Sequence, residues 1–268
     1  MASAGRTWLL CLGLVLTGPS SAYPAPPSVT LVALTDDGTL IVFPADRPGE
    51  ARTARVTGVS GQLVGLARRP ANGRLYALST TGDVYTVDPT QGAATLISTL
   101  TAPFNGGTRS GVDFNPTTDR LRLVGHDGQN LRVNVDNGAT ATDRTLAYRR
   151  EDPHFGERPM VAATAYTNDV ADAHTTEMFD LDSAHDVLAR QDPPNDGTLA
   201  TIGPLGVHVP PQAGFEIVTD AAGTNRGLAA FASQLYDVDV HTGTATALGT
   251  IGGPSGTIVG LTSMGGAR

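Results

Sequence analysis

The stretch VGLARRPANGRLYALSTTGDVYTVDPTQGAATLISTL, residues 64–100, decides how this chain folds. It reads as four short strands, 64–67, 74–78, 83–87 and 94–100, each rich in β-branched, aromatic or leucine side chains. Between them stand Asn72-Gly73, Thr81-Gly82 and Asp88-Pro89-Thr90-Gln91-Gly92. These are the residues tight reversals need: glycine for positive φ, proline for a fixed φ, and Asp or Asn for a hydrogen bond to the backbone two residues on. The segment is therefore a four-stranded antiparallel meander.

The same grammar returns in SGVDFNPTTDRLRLVGHDGQNLRVNVDNGATATDRTL, residues 110–146, and more loosely in 161–205 and 214–251. Taken as third-strand markers, Tyr85, Leu131, Phe179 and Tyr236 are followed three residues later by Asp88, Asn134, Asp182 and Asp239, at intervals of 46, 48 and 57. First strands give a second register. Gly65, Gly111, Gly214 and Gly260 precede Leu66, Val112, Phe215 and Leu261, whereas the third repeat has Ala162 and Ala163 there. Periods of this length belong to propeller blades. After Gly260 only one strand, 258–263, fits before the chain ends, while 30–58 offers about three strands, with Asp37-Gly38 as a turn. Pairing the last strand with the first blade closes the ring and removes two exposed sheet edges. The expected fold is an all-β propeller of five blades, six being compatible with the longer third and fourth repeats. A sandwich or an irregular solenoid is the alternative, but a sandwich has no use for a 46-residue repeat.

Composition agrees. The 268 residues include 32 Gly, 18 Pro and 34 Thr with only 16% charged, which suits turns and strands rather than helices. All 18 basic residues are Arg; against 26 acids they leave a net charge of −8, so nothing draws the chain to nucleic acid or an anionic membrane. Residues 1–22 have the layout of a secretory signal peptide, with Arg6, an apolar run over 8–16 and small residues at Ser20 and Ala22. That run is about half of what a bilayer-spanning helix needs. Cleavage after Ala22 removes Cys11, the one cysteine, and Trp8, and leaves a Pro-rich leader, 23–28, before a single domain over 29–266. The mature chain is expected to be secreted, without a membrane span, and monomeric.

As a set, GLARRPANGRLYAL, YTVDPTQGAATL, GVDFNPTTDRLRLV, GQNLRVN, VAATAYTND, RQDPPNDGTLATIGPLGV and IVGLTS resemble a bacterial family known as domain of unknown function 4394. The resemblance covers about residues 29–264, and GVDFNP (111–116) and DPPNDGTL (192–199) are its most particular phrases. It implies a secreted, propeller-like module and carries no catalytic residues with it. The insertion 169–174 and the charged run RREDPHFGER (149–158) depart from the repeat and are expected to be surface loops.

Chemistry is sought first along the propeller axis. Two positions after each repeat glycine stand Ala67, Asp113, Glu216 and Thr262, with Thr164 in the third repeat. If these face the channel, Asp113 and Glu216 share one polar funnel. Two carboxylates there would hold a hard cation such as calcium, with Asn115 and backbone carbonyls as further ligands, or divide acid and base roles. The plainer reading is that each accepts hydrogen bonds from backbone amides or pairs with Arg68 or Arg109. In the DPPNDG loop, Asp192, Asn195 and Asp196 place three oxygen-bearing side chains within five residues, but the EF-hand spacing and its terminal Glu are missing, which favours a rigid turn. The six His show no HExxH pair or close ligand spacing, no GxSxG elbow, Walker loop or dinucleotide fingerprint is present, and aromatic residues are too few for a sugar platform. The leading expectation is a binding or interaction module for an extracellular protein or small ligand. The alternative is a cation-dependent, lactonase-like hydrolase working from the channel.

Overall fold

A computed structural model of the chain describes Met1 and residues 28–253 and 256–265. The signal-peptide reading and nearly all of the leader lie outside the described residues. Five antiparallel sheets follow one another along the chain. Blade 1 contains β1 (Thr30–Thr35), β2 (Thr39–Pro44) and β3 (Arg52–Arg55). Blade 2 is β4 (Leu63–Arg68), β5 (Leu75–Ser79), β6 (Asp83–Val87) and β7 (Ala94–Thr99). Blade 3 is β8 (Ser110–Asn115), β9 (Arg120–Gly125), β10 (Asn130–Val133) and β11 (Thr140–Thr142). In blade 4, β12 (Ala147–Tyr148) adds a parallel outer strand to β13 (Val161–Tyr166), β14 (Met178–Asp182), β15 (Val187–Gln191) and β16 (Thr198–Pro204). Blade 5 is β17 (Gly214–Thr219), β18 (Asn225–Phe231), β19 (Gln234–Val238) and β20 (Ala245–Thr250). The last strand, β21 (Ile258–Ser263), pairs antiparallel with β1, Val32 opposite Thr262 and Ala33 opposite Leu261, and so becomes the innermost strand of blade 1. This is a five-bladed β-propeller closed by its C-terminal strand. No described helix is long and apolar enough to cross a membrane.

The repeat glycines are where the inner strands touch. A Cβ on Gly65 would lie 2.3 Å from Val112 Cγ2, and one on Gly111 would lie 2.7 Å from the Thr164 backbone nitrogen, distances no side chain tolerates. Gly214 is held equally close to Leu261. Five blades make a narrow ring, and glycine lets neighbouring inner strands approach. The inner strands β4, β8, β13, β17 and β21 are buried along almost their whole length, while no residue of β7, β11 or β20 at the rim is buried.

Each pair of adjacent blades shares an apolar cluster, but the clusters are unequal. The one between blades 4 and 5 contains 15 buried residues, whereas that between blades 3 and 4 contains eight. Polar side chains occupy the difference there.

The expected third-strand register holds in blades 2, 3 and 5 and fails in blade 4. Phe179 and Asp182 lie on β14, the second strand. The position equivalent to Asp88, Asn134 and Asp239 is Asp192, whose amide bonds Thr198 O as theirs bond Ala93, Ala139 and Thr244 O. The cause is the long β13–β14 connection, which displaces everything after it.

Candidate functional site

Ala67, Asp113, Thr164, Glu216 and Thr262 are all buried. Asp113 Oδ1 accepts from the Phe114 amide at 2.8 Å and Oδ2 from the Tyr166 amide at 2.7 Å. Glu216 Oε1 accepts from the Ser263 amide at 3.2 Å. Neither is ion-paired with an Arg among the described residues. Arg68 pairs instead with Asp169. The insertion 169–174 is a surface loop from residue 170 onward, but its first residue is not: Asn168 exchanges hydrogen bonds with Asn225 at 2.9 and 3.0 Å, and the Asp169 amide donates to Thr219 Oγ1 at 3.2 Å, drawing Asp169 inward against blade 5. Asp113, Glu216 and Asp169 thus feel one another's charge with a single guanidinium among them. Burial, reinforced by Glu216 and Asp169, holds Asp113 well above the usual carboxylate range. Burial and Asp169 push Glu216 to about 8; burial lifts Asp169 to about 6 against the opposing pull of Arg68. Toward the starting ends of the inner strands, Leu66, Val112, Phe215 and Leu261 leave a cavity of only about 10 Å³, roughly one water.

The two most particular sequence phrases meet elsewhere, between blades 3 and 4. Asn115, at the end of β8, organises its turn by accepting from the Thr117 and Thr118 amides at 2.9 and 3.0 Å, and it lines one cavity together with Tyr166. The DPPNDG segment is the blade 4 version of a turn found in three other blades, 88–92, 134–138 and 239–243, each starting with Asp or Asn and ending in glycine. In those turns the first side chain accepts from the amide two residues on, at 2.7, 3.1 and 2.8 Å. Blade 4 has one residue more before its closing glycine, and Asn195 reaches back to the preceding blade. Asn195 Oδ1 accepts from Arg122 Nη2 at 2.8 Å. Asp192 and Asp196 turn outward, with Arg190 at 3.4 Å and Arg144 at 4.0 Å, so the three oxygen-bearing side chains diverge.

Arg122 is the organiser. Only 2% exposed, it donates to Tyr166 Oη (3.1 Å), Asn130 Oδ1 (2.7 Å) and Asp143 Oδ2 (2.7 Å) besides Asn195. Asp143 also receives two bonds from Arg132, at 2.7 and 2.9 Å. Above this network lies a cavity of about 140 Å³ lined by Asn115, Thr118, Arg120, Arg122, Arg132, Tyr166, Pro194 and Asn195. Arg132 is partly exposed; among the described residues, no carboxylate lies within ion-pair distance of Arg120. Three guanidinium groups therefore line the cavity with one carboxylate bound among them.

A model of the family described as "Domain of unknown function (DUF4394)" matches residues 39–262. This chain belongs to that family. No curated protein matches it. The DUF4394 chain is similar to a crystallised protein of unknown function from Bacteroides thetaiotaomicron, at 19% identity and a TM-score of 0.53, over 86% of this chain and 58% of that one. It spans, then, little more than half of that relative. It also resembles the β-propeller domain of Cps50 (Swd1) from Myceliophthora thermophila, at 14% identity, TM-score 0.45, covering 79% and 62% of the two chains, and virginiamycin B lyase from Staphylococcus aureus, at 10%, 0.41, 82% and 69%.

Sequence reasoning missed Arg122, Arg132 and Tyr166, because Arg122 meets Tyr166 and Asn195 from another blade, Arg132 meets Asp143 only once the blade is folded, and no spacing announces either. The signal open to inspection was an arginine, Arg122, at a mid-strand position where blades 1, 2 and 5 carry Val32, Tyr76 and Leu228 and blade 4 carries Asp180. The DUF4394 chain also brings together His154, Glu157 and His185, whose ligand atoms all lie within 4.8 Å of one another, although the histidines are 31 residues apart in sequence. The absence of close histidine spacing thus does not extend to space. Nor is the segment 149–158 wholly a surface loop: Asp152 is buried and accepts from the Thr201 amide and hydroxyl at 2.6 and 2.9 Å.

Proposed function

We propose that this protein is a secreted binding module whose arginine-lined cavity between blades 3 and 4 takes a small anionic group, a carboxylate or a phosphate. The observation that supports this is a cavity lined by Arg120, Arg122 and Arg132 in a chain whose net charge is −8. Its volume, about 140 Å³, suits a group of roughly benzene size rather than a whole drug-sized ligand. Arg122 is spent on structure; Arg120 and Arg132 supply the charge-assisted donors, and guanidinium forks match carboxylate and phosphate oxygens. The Tyr166 hydroxyl and the Asn195 turn give the cavity its fixed wall. A calorimetric panel of phosphate, sulfate and small mono- and dicarboxylates tests the reading. At least one should bind, more weakly as salt rises, and Arg132→Ala should lower its affinity about tenfold, the loss of one charge-assisted pair. Equal affinity in wild type, Arg120→Ala and Arg132→Ala would remove it.

A second reading, a cation-dependent hydrolase using calcium at Asp113 and Glu216, is favoured by one observation: three buried carboxyls face one guanidinium. Protons or a divalent cation neutralise that excess. The narrow axis and the amide bonds on both carboxyls favour protons. Calcium that raised the melting temperature of wild type but not of Glu216→Gln would favour the cation.

A further inference from the structure

We infer that His154, Glu157 and His185 form a zinc site that pins the segment between β12 and β13 to the β14–β15 turn. His185 stands in that turn, and its Nδ1 lies 2.8 Å from Asp182 Oδ2. Asp182 is wholly buried and fully engaged. Its Oδ1 accepts from the Met160 and Ala184 amides at 3.0 and 2.8 Å, and its Oδ2 also accepts from the Tyr148 hydroxyl at 2.5 Å. With every other hydrogen bond on Asp182 coming from a donor, His185 donates through Nδ1. Its Nε2, directed at Glu157, is then the nitrogen that can give up its proton and coordinate. A carboxylate fixing one imidazole nitrogen so that the other can coordinate is the usual support of a metal-binding histidine.

The other two donors come from the charged run 149–158. His185 Nε2 lies 2.5 Å from Glu157 Oε2, and His154 Nδ1 lies 3.3 Å from the same oxygen. Tyr148 packs beside both imidazoles, its ring centroid 5.4 Å from that of His154 and 5.7 Å from that of His185. Two imidazoles and one carboxylate suit zinc, and three protein ligands leave a fourth position for water or an exogenous ligand. Calcium and magnesium, which take oxygen ligands, do not match the set. Bonds of about 2.0–2.2 Å in a tetrahedron keep ligand atoms roughly 3.3 Å apart, so Glu157 has only to draw back from His185 by about 1 Å. The Glu157 side chain is 55% exposed, which gives it that freedom.

This cross-link has a clear structural consequence. The segment from β12 to β13 is held at its two ends, where the Arg149 amide donates to Leu199 O at 2.9 Å and the Met160 amide to Asp182 Oδ1 at 3.0 Å, and between them Asp152 on Thr201 and the His154–Glu157–His185 cluster fasten it to the blade. Zinc would convert the second fastening from hydrogen bonds into coordination bonds.

The test uses the full chain without a polyhistidine tag, stripped with a chelator. Zinc titrated calorimetrically should bind with one strong equivalent, and cobalt in its place should give the visible absorption of a tetrahedral centre. Glu157→Ala and His154→Ala should each weaken binding at least tenfold and abolish the cobalt spectrum while melting like the stripped wild type. Asp182→Asn should cost about 10–100-fold in affinity. Zinc should also slow tryptic cleavage after Arg149 and Arg150 in wild type and not in Glu157→Ala. No stoichiometric zinc in the wild type, or binding equal to wild type in both the Glu157 and His154 variants, would overturn the inference.

Discussion

At the scale of single residues, the buried carboxyls along the axis set a pH dependence whose sign is fixed. Glu216 in the folded chain keeps its proton to about pH 8, whereas its ordinary value is 4.5. Between those values the folded state binds more protons than the unfolded state, so stability falls as pH rises through the window. Asp113, Asp169, Asp180 and Asp237, also raised by burial, act with the same sign, as does His185 once pH passes its unfolded value, because its carboxylate neighbours outweigh burial. The acids held low, such as Asp37 and Asp136, lose their contribution only in stronger acid. Melting temperature should therefore be higher near pH 5 than near pH 8. Glu216→Gln keeps the shape without the titrating proton and should flatten the slope; one pH unit inside the window is worth at most about 1.4 kcal/mol, ~3–5 °C. Parallel melting curves for wild type and Glu216→Gln across that range would show that Glu216 is not the titrating group. The position of these acids was legible in the repeat, since counting two residues past each glycine put Asp113 and Glu216 inside. Asp169 was not legible, because its place depends on Asn225, in another blade.

At the scale of elements, the turns carry the lesson. Asp88, Asn134 and Asp239 declare themselves because a short polar side chain bonding its own backbone is a local event, written in consecutive residues. The DPPNDG turn stood out for the same reason, yet its job is not local: Asn195 fastens blade 4 to Arg122, 73 residues earlier. Nothing in either segment names the other. The misplaced register in the third repeat has the same origin, since a local Phe-x-x-Asp match at Phe179 and Asp182 imitates a third strand when the preceding connection is longer than expected. Asn195→Ala should leave a buried guanidinium one acceptor short and cost about 1–3 kcal/mol by denaturant unfolding. Asn195→Asp, which restores the acceptor, should recover much of it. Asp196→Ala, outside the network, should stay within about 0.5 kcal/mol of wild type. If Asn195→Ala and Asp196→Ala cost the same, the bond to Arg122 does not hold the blades together.

At the scale of the whole molecule, ring closure was readable because it is an arithmetic fact: three strands at one end, one at the other, and a period that leaves each incomplete. The inequality of the blade interfaces was not readable, because it depends on which side chains face each other across the ring. Closure makes a prediction about chain order. Without β21 the inner edge of β1 would be unpaired from Leu31 to Leu34, and Leu261 would be missing from the core between blades 5 and 1. Deleting the chain from residue 257 onward should therefore yield an aggregating product with no cooperative unfolding. The end of β21, however, lies beside the start of β1: the Met264 amide donates to Thr30 O at 2.8 Å, and the two strands are antiparallel. A permuted chain that begins with residues 256–264, joins them to Thr30 through a short glycine-containing turn and ends at residue 253 turns the closing strand into one arm of a hairpin. Every blade contact is kept, and a non-local closure becomes a local one. The permutant should fold to a monomer with a cooperative melt near that of the parent and should refold faster, since less loop entropy stands before the first blade is complete. A permutant that stays unfolded, beside a truncated chain that folds, would mean that β21 does not close this ring.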